Sequence, residues 1–128
     1  MKLLLVEDHP GLAKVSCDLL RNTYGHDVYH APSAEDALKM AEVIDPDLVL
    51  LDLSLPDMHG YRLARNLRSL PGGERPILVA LTGYGLTGSE TESLEAGIDA
   101  HFRKPMDFGE LTKIRRAQSC GQHEQSRN

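Results

Sequence analysis

Chemically capable side chains follow short apolar runs at four places in this sequence. Glu7 and Asp8 come directly after the run 3–6, Asp52 after the run 48–51, Thr82 after the run 77–81, and Lys104-Pro105 close behind the run 100–102. Three carboxylates, a hydroxyl and an ammonium gathered in one place suit phosphoryl transfer. The carboxylates alone would repel by several kcal/mol per pair at ~4 Å and an effective dielectric near ~20, so a divalent cation is the natural neutraliser. Oxygen ligands that leave room for water favour Mg²⁺, whereas zinc would draw on His or Cys. Asp52, ending a wholly apolar run, has the chemistry to attack phosphorus and become an aspartyl phosphate. The cation, the Thr82 hydroxyl and the Lys104 ammonium would then share the phosphoryl oxygens. The turn after the first run reads Glu7-Asp8-His9-Pro10-Gly11, with acid where a nucleotide site would place glycine and backbone N–H groups. That argues against a dinucleotide or ATP site.

These residues converge only if the elements carrying them lie side by side. Five apolar runs, at 3–6, 28–30, 48–51, 77–81 and 100–102, alternate with stretches of helical period, the pattern of a parallel α/β sheet. The first, third and fourth read as strands buried on both faces, and the shorter, more polar second and fifth as edges. Stripes at Leu12, Val15 and Leu19, at Ala34, Ala37, Leu38 and Ala41, and at Leu63, Leu67 and Leu70 are each expected to cover a face of the sheet. Ser33 with Asp36 reads as a helix start and Leu70-Pro71-Gly72-Gly73 as a stop. Asp107 and Glu110 form a capping-box pair before a final helix beginning near Phe108. The acidic segment 87–96 has Leu94 as its single large apolar residue and is expected to be thinly packed. The fold class is therefore α/β: a five-stranded, doubly wound, flavodoxin-like parallel sheet in the order 2-1-3-4-5, with ligands bound beyond the carboxyl ends of the strands.

With 128 residues the chain is expected to form one domain over 1–119 and a disordered tail over 120–128. A formal net charge of -5 disfavours nucleic acid and anionic lipid as partners. No run approaches a membrane span, the start turns acidic too soon for a signal peptide, and Cys17 and Cys120 lack a disulfide or zinc spacing, so a cytoplasmic protein with two free thiols is expected.

In order along the chain, these motifs resemble the receiver domains of two-component response regulators. The resemblance runs from Lys2 to about Ala117 and rests on Glu7-Asp8, LLDLSLPDMHG around Asp52, LTGYG with Thr82, and GIDAHFRKP ending in Lys104-Pro105. It implies that Asp52 is the phosphoacceptor, that Glu7 and Asp8 are the metal-binding acids with Asp8 the closer ligand, and that the backbone carbonyl of Ser54 completes the protein's share of the Mg²⁺ coordination. Thr82 is then the switch hydroxyl and Lys104 the family's lysine. The family's switch aromatic falls on His101, a departure in size and charge. The implied partners are a sensor histidine kinase or histidine phosphotransfer protein upstream and a protein target downstream. The wording ALTGYG and DAHFRKPMD looks more like receivers attached to hybrid sensor kinases, or their free-standing relatives, than those joined to DNA-binding domains.

Two rival readings remain. An aspartyl-phosphate phosphatase would carry a second acid two residues after the nucleophile, where this chain has Ser54. A pseudo-receiver would bind partners without being phosphorylated, against which the intact acidic pair and Lys104 speak. His9, His26, His30, His59 and His123 read as surface or turn residues, and Cys17 as a small helix residue without chemistry.

Overall fold

Three strands made almost wholly of leucine, valine, isoleucine and alanine can be buried only between two layers of helix, and that need organises the molecule. The computed structural model describes residues 1–53, 55–82, 96–103, 108, 109 and 111. Along them run β1 (Lys2–Val6), α1 (Pro10–Asn22), β2 (Asp27–Ala31), α2 (Ala34–Ile44), β3 (Leu48–Asp52), α3 (Gly60–Ser69), β4 (Ile77–Thr82) and β5 (Ala100–Arg103). All pairings are parallel, in the order β2-β1-β3-β4-β5. The expected topology is thus observed, with β2 and β5 at the edges. Register sets Val6 beside Leu51 and Asp52 beside Leu81, so the carboxyl ends of β1, β3 and β4 form one rim.

Side-chain alternation divides the core in two. Leu4, Val6, Val49, Leu51, Leu78 and Ala80 face α2 and α3, and Leu3, Leu5, Leu48, Leu50, Val79 and Leu81 face α1 together with Phe108 and Leu111. The helix starts explain themselves locally. Ser33 Oγ accepts from the Asp36 N–H at 3.1 Å, as its spacing predicted. Asp57, in the loop returning from β3, accepts from the Ala34 and Glu35 N–H groups at 3.1 and 3.2 Å, so α2 has three of its first amides satisfied. Gly60 opens α3 against the end of β3, where a Cβ would come within 2.6 Å of the Leu53 Cα. No other residue fits that approach without moving backbone.

One expectation is overturned in α1. Its buried face is Ala13, Cys17 and Leu20, while Leu12, Val15 and Leu19 are 49%, 65% and 39% exposed. Two apolar stripes, one residue apart, occupy this helix, and the one containing small side chains faces the sheet because it lets the helix axis approach closely. Burial pushes the Cys17 thiol up from its ordinary value, and the thiol is free. The stripes of α2 and α3 do cover the sheet, through Ala34 and Ala37, and through Leu63 and Leu67.

At the rim opposite the acids, Arg68 holds the molecule's base. Its guanidinium donates to the carbonyls of Gly73 (2.9 Å), Pro76 (2.7 Å) and Gly97 (2.9 and 2.7 Å) and pairs with Asp99 at 2.8 Å. Asp99 in turn accepts from the Leu78 N–H at 2.9 Å, which ties the entries to β4 and β5 together. Among the described residues no helix is long and apolar enough to cross a membrane. The expected acidic helix over 87–96 lies outside the described residues except for Ala96. So do most of the final helix, Cys120 and the proposed tail, although Phe108 and Leu111 are described and buried.

Candidate functional site

The rim is built from chain ends that stop being strand at the same height. β1 ends at Val6, and Glu7 and Asp8 emerge beside Asp52, the last residue of β3. One carboxylate oxygen from each of Glu7, Asp8 and Asp52 lies within 4.8 Å of the others. Glu7 is 6% and Asp52 3% exposed, while Asp8 faces solvent. Two acids are therefore held in a low-dielectric setting beside a third, which raises the cost of their mutual repulsion. Every donor of the cluster is a carboxylate oxygen, a set that fits a hard divalent cation and not zinc.

The backbone around the acids is closely tied. The Glu7 N–H donates to the Ala31 carbonyl at 3.1 Å, and the Glu7 carbonyl meets His30 Nε2 at 2.7 Å. Glu7 Oε2 accepts from the His9 N–H at 3.2 Å. His9 then caps α1, its Nδ1 accepting from the Leu12 N–H at 3.1 Å, with Pro10 at the first helical position. The amino end of α1, with its partial positive charge, starts just after Asp8.

Thr82 closes β4, one residue beyond the partner of Asp52, and its Oγ1 makes a long contact of 3.5 Å to the Phe102 carbonyl. His101 on β5 pairs with Ala80 and so turns its side chain to the α2/α3 face. There His101 Nε2 lies 3.4 Å from the hydroxyl of buried Tyr61, with ring centroids 6.0 Å apart. Ser54 and Lys104 lie outside the described residues. Of the expected site residues, Glu7, Asp8 and Asp52 are thus together, with Thr82 and His101 on the two strands that follow in the sheet.

Sequence reasoning passed over Asp57 and Tyr61 and read His30 as a surface or turn residue, whereas it is a half-buried member of β2 whose ring meets the Glu7 carbonyl. A signal for His30 did exist: in the order 2-1-3, the end of β2 must adjoin the end of β1, so a polar residue there reaches the acidic pair. Nothing in the spacing marks Tyr61 as the neighbour of His101, because that contact depends on how α3 sits on the sheet.

A family model described as "Response regulator receiver domain" matches residues 3–116. The cell cycle response regulators CtrA of Brucella ovis and Brucella abortus are each 35% identical over 111 residues, 87% of this chain and 47% of theirs. The chain therefore spans about half the length of the curated relatives it matches. Among solved structures, a CheY-like response regulator receiver domain from Methylobacillus flagellatus matches with a TM-score of 0.78 at 32% identity, covering 90% of this chain and 95% of that one. The receiver domain of the sensor histidine kinase PA1611 from Pseudomonas aeruginosa PAO1 matches with a TM-score of 0.77 at 33% identity, covering 89% and 93%, and has a magnesium ion coordinated in its active site cleft.

Proposed function

The chain belongs to the response regulator receiver domain family, a module of two-component signalling, and from this we propose that Asp52 accepts a phosphoryl group from a phosphohistidine on a partner protein. Glu7, Asp8, Asp52 and the backbone carbonyl of Ser54 would hold Mg²⁺. The observation that carries the reading is the carboxylate trio, with Asp52 buried at the end of β3 and the exposed Asp8 leaving one side open to a donor.

Bound there, Mg²⁺ offsets the charge of the trio and of the incoming phosphoryl oxygens. An Asp52 oxygen forms the new O–P bond as the donor's N–P bond breaks, and the departing imidazole keeps the electron pair and takes up a proton from solvent. Thr82 and Lys104 hold phosphoryl oxygens. The contact of Thr82 with the Phe102 carbonyl is long enough to be given up readily. Hydrolysis reverses the state: water attacks phosphorus, the O–P bond breaks, and phosphate leaves the Asp52 carboxylate. The chemistry is thus self-directed, without a free substrate. As Thr82 turns toward the phosphoryl group, His101 and Tyr61 gain room to rearrange, and the change is passed to a downstream protein.

The exposed Leu12, Val15 and Leu19 stripe starts one turn from the acids and supports a protein as the donor. The test is incubation with acetyl phosphate and Mg²⁺ followed by mass spectrometry. One labile phosphate is expected, absent in Asp52→Asn. Unaltered labelling of that variant overturns the assignment, and no labelling of the wild type favours the pseudo-receiver.

A further inference from the structure

We infer that His30, which lies outside the carboxylate trio, is a positioning residue that holds the Glu7-Asp8 pair in its binding geometry. β2 ends at Ala31, whose carbonyl accepts the Glu7 N–H at 3.1 Å, the last backbone bond between these two chain segments. The next polar group, the Glu7 carbonyl, is met by the His30 side chain at 2.7 Å. A carbonyl only accepts, so Nε2 carries a proton and donates. This carbonyl belongs to the peptide joining the two acids, and because a peptide is planar, fixing it fixes the direction in which the chain leaves toward Asp8. Together with the bond from the His9 N–H to Glu7 Oε2, the pair is tied at three points.

Three carboxylates within 4.8 Å tend to spread apart when nothing lies between them. The His30 bond resists that spreading through the backbone. Outer-layer groups that orient metal ligands typically change metal affinity about 10- to 100-fold when removed. The inference rests on the reading of Glu7, Asp8 and Asp52 as a Mg²⁺ site, and the experiment separates the two.

Mg²⁺ is titrated against wild type, His30→Leu, His30→Gln and Asp8→Asn, with binding followed by amide NMR shifts and folding by thermal melts. His30→Leu should bind Mg²⁺ about 10-fold more weakly, and His30→Gln, which keeps a donor of similar reach, should recover affinity. In the wild type, ring ¹⁵N shifts should place a proton on Nε2 of His30, a readout independent of whether a variant folds. Unchanged affinity in His30→Leu, a glutamine variant as weak as the leucine one, or a wild-type ring protonated on Nδ1 alone would each overturn the inference. If Asp8→Asn bound Mg²⁺ as wild type does, the metal-site reading itself would fail.

Discussion

Asp57 contributes through backbone rather than through another side chain. Both its oxygens receive N–H groups from the first turn of α2, and the bond from Ala34 in particular holds its carboxyl below the ordinary value of 3.8. A depressed pKa means that the stabilisation is present above the unfolded-state value and is lost as pH falls through the folded one. Asp57→Ala should therefore cost about 1 kcal/mol at neutral pH, the usual scale for a lost helix cap. The difference from wild type should shrink below pH ~4, as urea denaturation across a pH series would reveal. A gap constant with pH would mean that the charge of Asp57 does not matter. Asp57 and His30 share a reason for escaping a reading of the sequence: each acts on main-chain groups, which every residue has and no motif marks. Glu7, Asp8 and Asp52 were legible because three acids at the ends of two buried strands have few structural uses.

At the scale of elements, α1 shows where periodicity stops deciding. Leu12, Val15, Leu19 and Ala13, Cys17, Leu20 have equally helical spacing, and hydrophobicity alone prefers the larger set. Packing chooses the smaller, because a helix lying on a flat sheet of branched side chains needs Ala and Cys beneath it. The outward stripe is then available to a partner. Val15→Ser with Leu19→Ser should change stability by no more than ~0.5 kcal/mol per site and leave phosphorylation by acetyl phosphate intact, while slowing transfer from a phosphohistidine protein. Leu20→Ala, at a fully buried position, should cost about 2 to 5 kcal/mol in the same denaturation assay. Equal transfer rates from the protein donor would remove α1 from the interface. The strands and the start of α2 were legible because a run with no polar member, or a serine three residues before a carboxylate, admits few other placements.

The whole molecule separates chemistry from anchorage, with acids at one rim of the sheet and the Arg68 cluster at the other. Arg68→Met keeps the side chain's apolar stem but strands three carbonyls and the Asp99 carboxylate, which are only partly exposed to water. A loss of about 3 kcal/mol is expected, with Mg²⁺ affinity unchanged. Weakened Mg²⁺ binding in a folded Arg68→Met protein would show that the two rims are coupled. The strand order also sets a sequence of events in time. All three acids lie within the first 52 residues, and because β1 pairs directly with β3 an emerging chain can assemble the carboxylate trio before β4 joins the sheet. Closing the loop between β1 and β3 costs entropy that grows only slowly with its length, so this pairing is available early. The nascent half-domain would then bring like charges together before β4 joins the sheet, and on the proposed reading of the trio as a Mg²⁺ site an ambient divalent cation would aid folding as well as signalling.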